Sequence, residues 1–315
     1  MRWLRSWRKS QPCRVFEATL RMKETTKGYI YGLSAAFLWG THAVVGRFLT
    51  ESIPGIVVAE SRLFVASIFF LLILLATKKK IDFRIQHKKW FAITVLLGFV
   101  LNFITLHIGL AYASASNIIL LENTAPVFLL FLLAVFFREK IKGHDILAVV
   151  LALIGVGLIM FPKGGISFSG THFFGNLLGL GAAFTWAIFV LGSSRVFSAE
   201  NTATERLNNL LKIFFASALL LSPAFLVYGG MVTRAEIPWL LFLGIFPTGI
   251  AYVLWFEAVH RMSTVSAVLM SNLAIVFTVI NERIFLQETL TAGMVAGAVS
   301  IIAAVTVSKF KERSL

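Results

Sequence analysis

Cysteine is nearly absent from this chain. The single Cys13 excludes an internal disulfide and leaves no thiolate cluster for a metal. Charge is scarce as well: Asp, Glu, Lys and Arg together make up 14% of the residues, against 58% hydrophobic. A water-soluble domain could not hide that much hydrocarbon without exposing large apolar patches, which leaves lipid as the solvent. The motifs of several enzyme classes are missing too. There is no HExxH pair for zinc, no GxSxG elbow and no phosphate-cradling glycine loop. Gly155-Val156-Gly157 is small-residue spacing suited to helix contact, not to a nucleotide. The residues therefore call for no cofactor and no enzymatic chemistry.

What remains is a series of apolar runs near the ~20 residues that cross a bilayer. Ten are expected, at 28–49, 54–77, 89–111, 116–137, 143–162, 174–196, 207–229, 236–258, 264–283 and 289–308. Backbone amides in hydrocarbon must be satisfied within their own segment, so each should be a helix. Acidic residues number 15 against 29 Lys and Arg, and the basic excess is unevenly spread. With the amino terminus cytoplasmic, 23 Lys and Arg fall on that side and 4 on the other. By the positive-inside rule both termini then lie in the cytoplasm, and the net charge of +14 reports topology and not nucleic-acid binding. Residues 1–27 are basic but lack the apolar core of a secretory signal. They read either as a polybasic arm on anionic lipid or, more plainly, as an over-extended start, with Met22 opening an ordinary short leader.

The segment from Ser114 to Phe161 returns at an offset of 149 as Ser263 to Ser308. Ser114 falls on Ser263, Asn123 on Asn272, Phe128 on Phe277 and Glu139 on Glu288, with 8 identities over the 26 positions from Ser114 to Glu139. Composition alone would give roughly two or three. Phe37-Leu38-Trp39 pairs with Phe184-Thr185-Trp186 at an offset of 147. Five spans per half force the halves to run in opposite senses, so the expectation is an all-α integral membrane protein of ten transmembrane helices in two inverted five-helix repeats. The first repeat covers 28–162 and the second 174–308, joined by a linker at 163–173 and followed by a tail at 309–315.

The order and doubling of several motifs resemble the drug/metabolite transporter superfamily, with two EamA-type repeats. They are Phe37-Leu38-Trp39-Gly40, Arg62, Gly109 to Ala115, Pro126, Arg138-Glu139-Lys140-Ile141 and Gly155 in the first half. Phe184-Thr185-Trp186, Trp255-Phe256-Glu257-Ala258 and Gln287-Glu288-Thr289-Leu290 match them in the second. Ile275 stands where the first half has Pro126, so a proline break is expected only in the first half. The resemblance implies a secondary carrier of small metabolites in the cell membrane, commonly an exporter or exchanger working by alternating access. A channel, or an intramembrane enzyme acting on lipid head groups, is the rival reading.

A solute path must be sought among the polar residues that hydrocarbon excludes, because an ionisable group at mid-bilayer costs about 2.5–3.5 kcal/mol on insertion scales. Glu60, Arg62, His107 and Glu122 fall in the outer half of the bilayer, with His42 nearer its middle. Glu122 has a neutral repeat partner, Ser271, so the fold does not require its charge. It reads either as a carboxylate for a cationic group or a coupling proton, or as the ion-pair partner of Arg62. Arg62 either ties helices together or grips an anionic group. His42 and His107 are candidates for a proton relay, or for plain hydrogen bonds to neighbours. Asn123 and Asn272 either bind solute or join helices. Trp39, Trp186, Tyr252 and Trp255 form a cavity wall or packing. Lys212 is expected to snorkel towards the cytoplasm, and Glu139 and Glu288 to stabilise turns. The partners implied are a small-molecule substrate and the lipid bilayer. A homodimer is neither required nor excluded.

Overall fold

The computed structural model describes residues 11–50, 52–112, 115–160, 171–197, 202–228, 232–285, 287 and 290–312. Helices joined by short turns make up this whole set, with no strand among the described residues. The first span is α1 (Gln11–Thr50) and the second α2 (Gly55–Ala76). The third runs through α3 (Lys88–Ala92), a π-helical stretch (Ile93–Val100) and α4 (Leu101–Tyr112). The fourth is divided into α5 (Ala115–Glu122) and α6 (Ala125–Phe136), and the fifth is α7 (Gly143–Met160). The second half repeats the plan. It has α8 (Thr171–Val196), α9 (Ala203–Tyr228), then α10 (Ile237–Leu243), a π stretch (Gly244–Ile250) and α11 (Ala251–Val259). The ninth span is divided into α12 (Thr264–Ser271) and α13 (Leu273–Phe285), and α14 (Ala292–Glu312) is the tenth. Among the described residues the second, third, fourth, sixth, eighth and ninth spans are each long and apolar enough to cross a membrane, and the fifth and tenth carry shorter apolar helices. The chain is an all-α, multi-pass integral membrane protein. α1 is unbroken from Gln11 to Thr50, so the described part of the basic segment runs into the first span as one helix.

Between apolar helices in lipid there is no hydrophobic drive, and close packing of small residues holds them instead. α7 crosses α14 in this way. A methyl group added at Gly155 would come within 2.6 Å of the Gly297 carbonyl oxygen, and one at Gly297 within 2.5 Å of the Gly155 carbonyl oxygen. Beside this crossing, the Ser300 hydroxyl donates to the Leu151 carbonyl at 2.7 Å. The Asn272 side-chain amide donates to the Asn123 carbonyl at 3.4 Å. Both bonds join positions 149 apart, so each residue meets its own repeat counterpart. Such meetings happen only on the two-fold axis that relates the halves. Along α7 and α14 the contacts pair rising with falling residue numbers, so equivalent spans are antiparallel and the repeats are inverted.

Local irregularities obey the same symmetry. The π stretch of the third span, moved by 149 residues, overlaps that of the eighth. The fourth and ninth spans both reverse through a non-glycine residue in the left-handed region, Arg138 at φ 53° and Gln287 at φ 56°, again 149 apart. Both spans are also interrupted at the equivalent asparagines. The proline stays confined to the first half, as Ile275 implied, yet the ninth span is interrupted all the same. The Ile275 N–H turns to the Asn272 carbonyl at 3.2 Å, as the Val127 N–H turns to Thr124 at 2.9 Å. Tight i→i−3 bonding beside an asparagine interrupts the ladder without needing a proline.

Candidate functional site

The two halves meet over a cluster of aromatic rings. Trp39 on α1 and Trp186 on α8, the pair related by the internal repeat, lie 6.0 Å apart between ring centroids. Trp39 also contacts Tyr252 at 5.4 Å and Trp255 at 5.2 Å, both on α11. Phe99, Phe189 and Phe214 surround Tyr252 from behind. Trp255 is wholly buried, yet its indole N–H has no hydrogen-bond partner among the described residues. A buried donor left unpaired costs about 1–3 kcal/mol, so this N–H is an open position for an acceptor.

Arg62 flanks the rings. Helical spacing brings it there: Trp39 and His42 lie about one turn apart on α1, as do Thr248 and Tyr252 along the eighth span. The buried Arg62 guanidinium donates from Nε to Thr248 Oγ1 at 3.0 Å, and its Nη1 lies 2.5 Å from His42 Nε2. A guanidinium offers only donors, so His42 Nε2 must accept and the ring carries its proton on Nδ1. The Thr248 hydroxyl in turn donates to the Leu243 carbonyl, five residues back at the end of α10, at 2.7 Å. Among the described residues no ion pair joins Arg62 to Glu122; Arg62 is held by a histidine and a threonine instead. Sequence reasoning passed over Thr248. Its signal was the Pro247-Thr248-Gly249 interruption in an otherwise apolar helix.

The Glu122 carboxyl, at the end of α5, neighbours the Asn102 amide. Asn102 is fixed by donating to the Ala182 carbonyl at 2.9 Å and to Thr185 Oγ1 at 3.4 Å, next to Trp186. Tyr252 lies within electrostatic reach of both Arg62 and Glu122. Asn123 and Asn272 sit at the interruptions of the fourth and ninth spans. The Asn123 side chain is spent on the Ile119 carbonyl at 2.7 Å, and that of Asn272 crosses to the other half. The side chain of His107 lies outside the described residues, as do Asn117 and Glu288. Lys212 donates to the Arg84 carbonyl at 2.5 Å and so docks the turn after α2.

At the amino-terminal face a second polar group, not singled out from the sequence, ties three spans together. Glu257 on α11 accepts from Arg206 Nε on α9 at 2.6 Å and, through its other oxygen, from Arg261. Arg261 reaches Glu24 on α1 at 3.0 Å and stacks over Tyr31 at 5.2 Å.

Comparison with known proteins decides the family. The sequence profile of the EamA-like transporter family matches residues 26–161 and again 173–309. The chain belongs to the EamA-like transporter family. This EamA-like chain is 24% identical to the uncharacterized transporter YoaV of Bacillus subtilis over 285 residues, covering 88% of this chain and 95% of that one. It is 26% identical over 294 residues to a Salmonella typhimurium protein named a probable amino-acid metabolite efflux pump, covering 88% and 93%. A solved crystal structure matches its fold with a TM-score of 0.77 at 18% identity, over 92% of this chain and 98% of the other. The EamA-like chain is thus a membrane transporter.

Proposed function

We propose that this EamA-like protein is a carrier in the cytoplasmic membrane that exports or exchanges a small zwitterionic metabolite by alternating access, with a proton as the coupling ion. The observation that carries this reading is the placement of a cation, Arg62, and a carboxyl, Glu122, around the aromatic cluster where Trp39 and Trp186 meet. Arg62 would grip a carboxylate and Glu122 an ammonium group, with the rings and the free Trp255 N–H against the remainder of the solute. The Salmonella relative's name, an amino-acid metabolite efflux pump, supports a substrate of that chemistry. The inverted halves supply the rocking pair that alternating access needs. The bias of basic residues supports a cytoplasmic position for both termini. The bond between Arg62 and His42 supports proton coupling: a proton arriving at His42 Nε2 would remove the acceptor that holds the guanidinium, and so free the cation that holds the solute.

Transport of radiolabelled amino acids by the protein in liposomes tests the reading. Wild type should show saturable flux that responds to a pH gradient. Glu122→Gln should lower the flux or abolish its pH response while membrane insertion is retained. Saturable flux with an unchanged pH response in that variant removes Glu122 from the mechanism. Flux without saturation would instead indicate a channel, and lipid turnover without solute flux an enzyme.

A further inference from the structure

One buried carboxyl has no part in the central site. Glu60 is 5% exposed and, among the described residues, has no hydrogen-bond or ion-pair partner. It lies one face away from Arg62 on α2, because residues two apart on a helix point to nearly opposite sides. Its repeat counterpart at the 149-residue offset is the neutral Asn209, so the symmetry of the fold does not demand a charge there. Glu60 and Ser61 line a crevice of about 390 Å³ between α2, α9 and α10. Most of the crevice wall is apolar, with Phe64, Phe215 and Leu219 prominent in it. These three side chains are 53%, 50% and 64% exposed, so in a bilayer the mouth of the crevice faces acyl chains.

We propose that this crevice is a second ligand site, which takes a single-tailed lipophilic ammonium compound from the surrounding lipid. The apolar tail lies along Phe64, Phe215 and Leu219, and the ammonium group meets the Glu60 carboxylate beside Ser61. Charge complementarity selects the head: an unpartnered carboxyl in hydrocarbon is costly, and a cation carried in by an apolar tail offsets that cost. Volume selects the tail, since 390 Å³ suits a drug-sized molecule and is too small for a two-chain phospholipid.

The test uses the full-length protein in lipid nanodiscs and a fluorescent octyl-trimethylammonium probe, with an octyl-sulfonate probe as control. The ammonium probe should bind saturably and the sulfonate should not compete. Glu60→Gln should weaken binding by about tenfold or more. Leu219→Trp, a change at the lipid-facing edge that fills the crevice, should do the same without threatening the fold. Glu122→Gln, in the central site, should leave binding unchanged, which separates this inference from the proposed transport mechanism. Equal binding to wild type, Glu60→Gln and Leu219→Trp overturns the proposal. So does loss of binding in Glu122→Gln alone, which would move the probe to the central site. Displacement of the probe by phosphatidylethanolamine would give the crevice to a lipid and overturn the chosen occupant.

Discussion

Arg62 shows how a charge is kept inside a bilayer without a counter-charge. Its two hydrogen bonds, to Thr248 and His42, come from different helices, so the guanidinium ties α2 to α1 and to the π stretch of the eighth span. Thr248 itself spends its hydroxyl proton on the Leu243 carbonyl and accepts from Arg62 with its lone pair. Thr248→Val keeps the shape and removes both bonds. Leaving a buried donor without its acceptor costs about 1–3 kcal/mol. The variant should therefore melt several degrees lower than wild type in a fluorescence-detected thermal assay. A melting point within a degree of wild type would mean that water replaces the hydroxyl. Of this residue-scale picture, the ionisable groups were legible from the sequence, because charges stand out in an apolar run. Their partners were not: His42 accepting from Arg62, or Asn102 beside Glu122, depends on which helices touch.

At the scale of helices, the network on Glu257 joins α1 at Glu24 to the first turn of α9 and the last turns of α11. His260 lies in the turn just beyond α11, where burial first, and then the nearby Arg206 and Arg261, hold its imidazole below the ordinary histidine value, against the pull of Glu257. The folded chain thus refuses a proton that the unfolded chain accepts near pH 6.5. Stability is full above that value and declines as pH falls through it. Glu24 has the opposite charge type. Its hydrogen bond to Lys27, and then that to Arg261, lowers its value below 4.5, so its contribution persists above 4.5 and is lost only in stronger acid. Between about pH 7.5 and pH 5.5 the melting point should fall in wild type and fall less in His260→Gln, because of this pair the histidine titrates in that window and Glu24 does not. Identical slopes would place the titrating group elsewhere. Elements differ in how far the sequence foretells them. Span positions followed from apolar length, yet the interruption of the ninth span did not, because an asparagine, unlike a proline, does not by itself mark a break in a helix.

For the molecule as a whole, one two-fold axis accounts for the most contacts with the fewest assumptions. The 149-residue offset was legible in the sequence, and it marks the residues that can meet their own counterparts, Asn123 with Asn272 and Leu151 with Ser300. Which offset pairs actually touch is a matter of packing. It is settled by glycines such as Gly155 and Gly297, whose missing side chains let α7 and α14 approach backbone to backbone. Inversion has a consequence that can be measured in cells. The turn at Lys80, after the second span, and the turn at Arg234, after the seventh, are repeat equivalents and must face opposite sides of the membrane. Cys13 is the chain's single cysteine, so a Cys13→Ser background gives clean labelling. In that background Lys80→Cys should react with a membrane-impermeant maleimide only after the cells are opened. Arg234→Cys should react in intact cells, the direction that the excess of basic residues at the amino-terminal face requires. Labelling of both sites from one side would break the inverted relation between the halves, and with it the basis for alternating access. The reverse pattern would keep the inversion and turn the whole protein over in the membrane.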